Sequence, residues 1–125
     1  MPYRVSRMEF EDMVRAGIDK VPAEFLDRMT NLSILVQQEP TRSQLSENGL
    51  SSNELLFGLY EGVPLTERGE YVPPLPDVIT IFQKPNEQVV DNGNALAEQV
   101  ETTVLHEVAH YFGFSDEELH ELGLG

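Results

Sequence analysis

Two histidines four residues apart enclose a glutamate in His106-Glu107-Val108-Ala109-His110, the H-E-x-x-H pattern, in a chain with three histidines in all. On a helix, positions 106 and 110 stand one turn apart on one face, so both imidazoles can reach a single tetrahedral Zn²⁺. Glu107 follows His106 by about 100° around the axis, which places a carboxylate beside the metal's water without making it a ligand. That is the position of a general base. No cysteine occurs, so thiolate ligands, disulfides and a thiol nucleophile are excluded, and a metal must be held by histidine and carboxylate.

A catalytic zinc needs a third protein ligand and an open position. Gly113 lies three residues past His110 and lets the chain turn back under the metal, bringing Asp116 to the place of that ligand. His120 is the rival, being the remaining histidine, and Glu117, Glu118 and Glu121 are within reach, although a helical turn starting at Ser115 carries most of them outward. Asp116 also has a reading without metal, since an acid in the first turn of a helix meets the helix dipole favourably. The expected site is one Zn²⁺ per chain on His106, His110 and Asp116, with Glu107 as base. Glu98 and Glu101 are expected to face solvent, Tyr111 to pack rather than act as an oxyanion donor, and either Tyr60 or Tyr71 to reach the cleft.

The element that must carry this site is a long helix from about residue 94 to its cap at Gly113. Leu96, Val100, Val104 and Val108 recur every four residues, with Ala97, Leu105, Ala109 and Phe112 in the adjacent row. They form a stripe that seeks burial against a sheet. On the helix wheel the histidine face, continued upstream by Thr102 and Thr103, lies away from it. Residues 77–83 (DVITIFQ) read as a strand covered on both faces, and residues 31–39 and 54–62 as further strands. The polar stretch 41–53 between those two reads as a loop with an Asn48–Gly49 turn.

Ahead of the strands, the Ser6/Glu9 capping box opens a helix over 7–18, interrupted by Gly17 and the Val21–Pro22 step. Pro22 suits the first position of a shorter helix through residues 23–28. The prolines of 63–76 bar a central strand but allow a sheet edge or cleft wall, with residues 65–75 as the edge along which an extended peptide can add. One or two helical turns follow Pro85, and the Ser115/Glu118 capping box opens a last helix through Leu122. Helices, then strands, then helices predict an α+β domain spanning residues 1–125.

A length of 125 residues is enough for one core and too short for two. With 22 Asp and Glu against 8 Lys and Arg, the net charge of −14 repels phosphate backbones and anionic lipid, so neither nucleic acid nor membrane is expected as a partner. No stretch approaches the roughly 20 apolar residues of a membrane span, and the acidic N-terminal segment lacks the apolar core of a signal peptide. A cytoplasmic protein is expected, with a peptide or protein as substrate and a monomer favoured.

The full pattern, His106-Glu107-x-x-His110-x-x-Gly113-x-x-Asp116, resembles the extended motif of metzincin-type zinc metallopeptidases, which end it in His or, in a few groups, Asp. More closely, HEVAHYFGFSDEEL, with LYEGVPLTERG and LPDVITIFQ upstream, is similar to the small bacterial zincin-like metallopeptidases, or minimal zincins, over most of the chain from Asn31 onward. The resemblance implies a minimal zincin-like fold: a small twisted mixed sheet with N-terminal helices, a long active-site helix and a short C-terminal one. It also implies ligands His106, His110 and Asp116, with Glu107 as catalytic base in peptide-bond hydrolysis. One departure is plain. Metzincins carry a Met-containing turn beneath the metal, whereas Met1, Met8, Met13 and Met29 all precede the motif, so the lower half of their cleft is missing. The alternative is a catalytically silent, zinc-stabilised acidic module that binds a basic partner.

Overall fold

The computed structural model describes residues 2–62 and 77–121. Within them the order is α1 (Arg7–Asp19), α2 (Ala23–Leu26), β1 (Leu32–Gln37), α3 (Arg42–Glu47), β2 (Gly58–Glu61), β3 (Asp77–Phe82), α4 (Gln83–Gln88), α5 (Gly93–Tyr111) and α6 (Asp116–Glu121). The small sheet is mixed and the fold is α+β, as expected. Its strand order is β1-β3-β2, with β1 parallel to β3 and β2 antiparallel to it. The expected cleft edge at residues 65–75, and Tyr71 with it, lies outside the described residues, as does Leu122.

β3 is central because its sequence can be buried on both faces: Ile79, Thr80, Ile81 and Phe82 are all buried. Phe10 and Val14 of α1, Ile79 and Ile81 of β3, and Leu96, Val100, Val104 and Val108 of α5 form one core. α1 crosses α5 closely at Gly17, where a Cβ would come within 3.3 Å of the Glu101 Cα. Gly17 is therefore a contact inside α1 rather than its interruption, and α1 continues to Asp19.

Other boundaries differ from the sequence reading for local reasons. Residues 41–53 are not all loop, because Thr41 and Gln44 form a reciprocal capping box that starts α3. The strand expected over 54–62 is confined to Gly58–Glu61, and Leu55 is exposed. α4 begins at Gln83, directly after β3, and so takes in Pro85. A proline in the first helical turn loses no intrahelical bond, since the amides there have no partner within the helix. No helix among the described residues is long and apolar enough to cross a membrane.

Candidate metal centre and cleft

α5 is capped at its start by Asn92, whose side chain accepts from the Ala95 amide, so the helix begins at Gly93. It ends in a Schellman turn. The Gly113 amide donates to the His110 carbonyl at 2.9 Å and the Phe114 amide to the Ala109 carbonyl at 3.0 Å. Gly113 adopts φ 96°, a left-handed conformation that a side chain would strain. The turn reverses the chain, and Ser115 opens α6 by accepting from the Glu118 amide while the Glu118 carboxylate accepts from the Ser115 amide, each at 3.1 Å. Asp116 is thereby returned to the histidines.

His106 Nε2 and His110 Nε2 stand 3.0 Å apart, and Asp116 Oδ1 lies 3.2 Å from the first and 2.9 Å from the second. His110 Nδ1 is 2.9 Å from the Phe114 carbonyl, which can only accept. The proton is therefore assigned to Nδ1, leaving the Nε2 lone pair turned to the cluster. Two imidazole Nε2 atoms and a carboxylate oxygen this close make a donor set that could hold a metal cation. With zinc bonds of about 2.0–2.1 Å, the edges of a tetrahedron measure roughly 3.3 Å, so the spacing fits with a small expansion. Among the described residues, His106, His110 and Asp116 form the group whose ligand atoms all lie within 4.8 Å of one another.

His120, the rival, is exposed and outside this group. Asp116 itself leaves 83% of its side chain exposed, so the cluster is open to solvent on one side. It opens on a cleft of about 520 Å³, with Leu50, Leu56, Leu59 and Phe114 as its apolar lining.

Glu107 lines this cleft with His106 and His110, and it is also more enclosed than they are. Of the face upstream of the histidines Thr102 is exposed, whereas Thr103, like Glu107, is buried, at 5% and 7% exposure respectively. Together with Tyr111 they make a second buried row on α5, covered by β2, whereas Ala97 of the expected adjacent row is exposed. β2 comes this close because its first residue is Gly58, where a Cβ would lie 2.9 Å from both Glu107 Cγ and Thr103 Cγ2. Burial raises the Glu107 carboxyl above its ordinary 4.5. The His106 and His110 imidazoles oppose this, Asp116 adds to it, and a hydrogen bond from the Tyr60 backbone amide favours the charged form.

Tyr60 does reach the cleft, and its hydroxyl donates to Asp77 at 2.6 Å. Tyr111 packs as expected, fully buried, its hydroxyl 3.0 Å from the Thr30 carbonyl. Glu98 is exposed and Glu101 half-buried.

Sequence reasoning missed Asn86, which is completely buried against both β2 and α5. It falls in the short helical segment read after Pro85, and nothing local signals its burial.

The zincin-like metallopeptidase family model matches residues 29–125. A search of curated proteins found no match.

Proposed function

Because the chain belongs to the zincin-like metallopeptidase family, we propose that it is a zinc-dependent peptidase with His106, His110 and Asp116 as ligands and Glu107 as general base. The observation that carries this reading is the convergence of two Nε2 atoms and one carboxylate oxygen at the mouth of a cleft, with a buried carboxylate on the next position of the same helix. Zinc would supply Lewis acidity there, bringing the pKa of water to about 7 and polarising a carbonyl.

The chain's own residues do the rest. His110 is held in the ligating tautomer by the Phe114 carbonyl, and Gly113 sets the turn that delivers Asp116. Glu107 takes a proton from the attacking water and returns it to the leaving amine. Burial raises its proton affinity, which suits that exchange, and the Tyr60 amide fixes the carboxylate in place. The apolar wall of Leu50, Leu56, Leu59 and Phe114 would receive a peptide side chain.

Protein purified without chelator and loaded with zinc should cleave an unbiased peptide library, whereas Glu107→Gln should retain about one zinc per chain and lose turnover by at least about a thousandfold. Failure of the loaded wild type to cleave any peptide would overturn this reading.

A second reading, an acidic zinc-stabilised module that holds a basic partner without turnover, draws support from charge. The described lining of the cleft comes from residues 48–60 and 106–116, which contain no Lys or Arg. Retention of a Lys-rich peptide, uncleaved, by the zinc-loaded protein would favour it.

A further inference from the structure

Resting on the peptidase reading, we propose that Asn86, acting through Thr103, is a positioning residue for Glu107: it fastens β2 to α5 so that the β2 backbone holds the catalytic carboxylate at a fixed place beside the metal.

β2 is four residues long and, among the described residues, is bonded within the sheet to β3 alone. Ladder bonds of so short a strand leave it free to shift or fray relative to α5. Yet the Glu107 carboxylate is defined by that strand, with Gly58 against its Cγ and the Tyr60 amide on its oxygens. Something must tie the two elements together.

Asn86 is fully buried at the crossing of β2, β3 and α5. Its Nδ2 donates to the Phe57 carbonyl at 3.1 Å, immediately before Gly58, and to the Phe82 carbonyl at 2.7 Å. Its Oδ1 accepts from Thr103 Oγ1 at 2.8 Å and from Gln99 Nε2 at 3.3 Å. All four bonding positions of the amide are thus used, two towards the strands and two towards the helix. Thr103 lies one turn before Glu107 on α5, and its methyl group shares with Glu107 Cγ the close approach to Gly58. The Thr103 hydroxyl has one proton and two acceptors near, Asn86 Oδ1 at 2.8 Å and the Gln99 carbonyl at 3.0 Å. The shorter contact is the one that leaves the helix.

Hydrogen bonds are suited to this task in a way an apolar contact is not. A leucine at position 86 would fill the space but allow β2 to slide by fractions of an ångström along α5, whereas four directional bonds fix register as well as distance. Displacement of a catalytic group by about 1 Å can lower a rate by about a hundredfold.

The test uses Thr103→Val, which preserves shape and removes the hydroxyl, Thr103→Ser as the conservative rescue, and Asn86→Ala as the harsher variant. In zinc-loaded Thr103→Val, kcat should fall about tenfold or more with KM and zinc content unchanged, and Thr103→Ser should recover most of it. Independently of activity, the Tyr60 amide should exchange with solvent at least about tenfold faster in Thr103→Val and faster still in Asn86→Ala, while amides of α1 keep their protection. Wild-type kcat and Tyr60 exchange in Thr103→Val would overturn the proposal, as would acceleration spread equally over α1 and α5. Should the zinc-loaded wild type cleave nothing, the peptidase reading falls, and the exchange measurement alone then decides whether Asn86 and Thr103 hold β2 to α5.

Discussion

α5 is buried on two sides that are built on different principles. Towards α1 and the sheet it presents Leu96, Val100, Val104 and Val108, which meet Phe10, Val14, Ile79 and Ile81 through apolar contact alone. Towards β2 it presents Thr103 and Glu107, which meet a glycine backbone, an amide and the fully bonded Asn86. Apolar packing is non-directional and tolerates exchange at constant volume. A polar contact under cover holds atoms to within fractions of an ångström and costs heavily when one partner is lost. One helix thus makes a non-directional apolar contact on one side and a directional polar contact, beside the candidate ligands, on the other.

The sharpest way to break this division is at the open end of the polar side. Asp116→Ala should lower zinc affinity by more than about a hundredfold while secondary structure, read by circular dichroism, stays as in the wild type, because Asp116 is exposed and carries no core contact. Gly58→Ala comes next. Its methyl group must enter space already held by Glu107 and Thr103, so a loss of about 1–3 kcal/mol in urea denaturation and a fall in kcat of about tenfold or more should appear together. On the apolar side, Ile81→Val should destabilise by about 0.5–1.5 kcal/mol and leave zinc content and kcat within about twofold of wild type. Equal loss of kcat from Ile81→Val and Gly58→Ala would erase the distinction.

The same division governs how much of the molecule was legible in its sequence. Periodicity marks apolar burial, so the Leu96/Val100/Val104/Val108 stripe and the covered strand 77–82 were readable, and so were the caps at Ser6, Gly113 and Ser115 that rest on local bonds. The convergence of His106, His110 and Asp116 was readable because helical spacing and one turn bring them together within eleven residues. The polar side was not. Thr103 was placed on the histidine face away from the apolar stripe, and nothing singled out Asn86 within the short helical segment after Pro85, since their mutual burial joins positions 17 apart in sequence. α3 was missed although its Thr41/Gln44 box was present, because a six-residue helix with only Leu45 buried has no period to detect. Strand order, and hence β2 as the strand against α5, is a property of long-range pairing that no local pattern encodes.

The reversal at Gly113 also bears on how a metal would enter and leave. Asp116 follows His110 by six residues on a segment already turned towards it. A metal captured by the two histidines therefore meets its carboxylate as an intramolecular event, at an effective concentration of order millimolar or above. Capture is completed without waiting for a distant element to fold. Release would run the other way: α6 has Leu119 as its one buried residue, and a rotation of this short arm about the glycine would withdraw Asp116 and leave an ion on two imidazoles. On the proposed ligand set, the rate of metal exchange would then follow the opening of a six-residue arm rather than the stability of the whole protein.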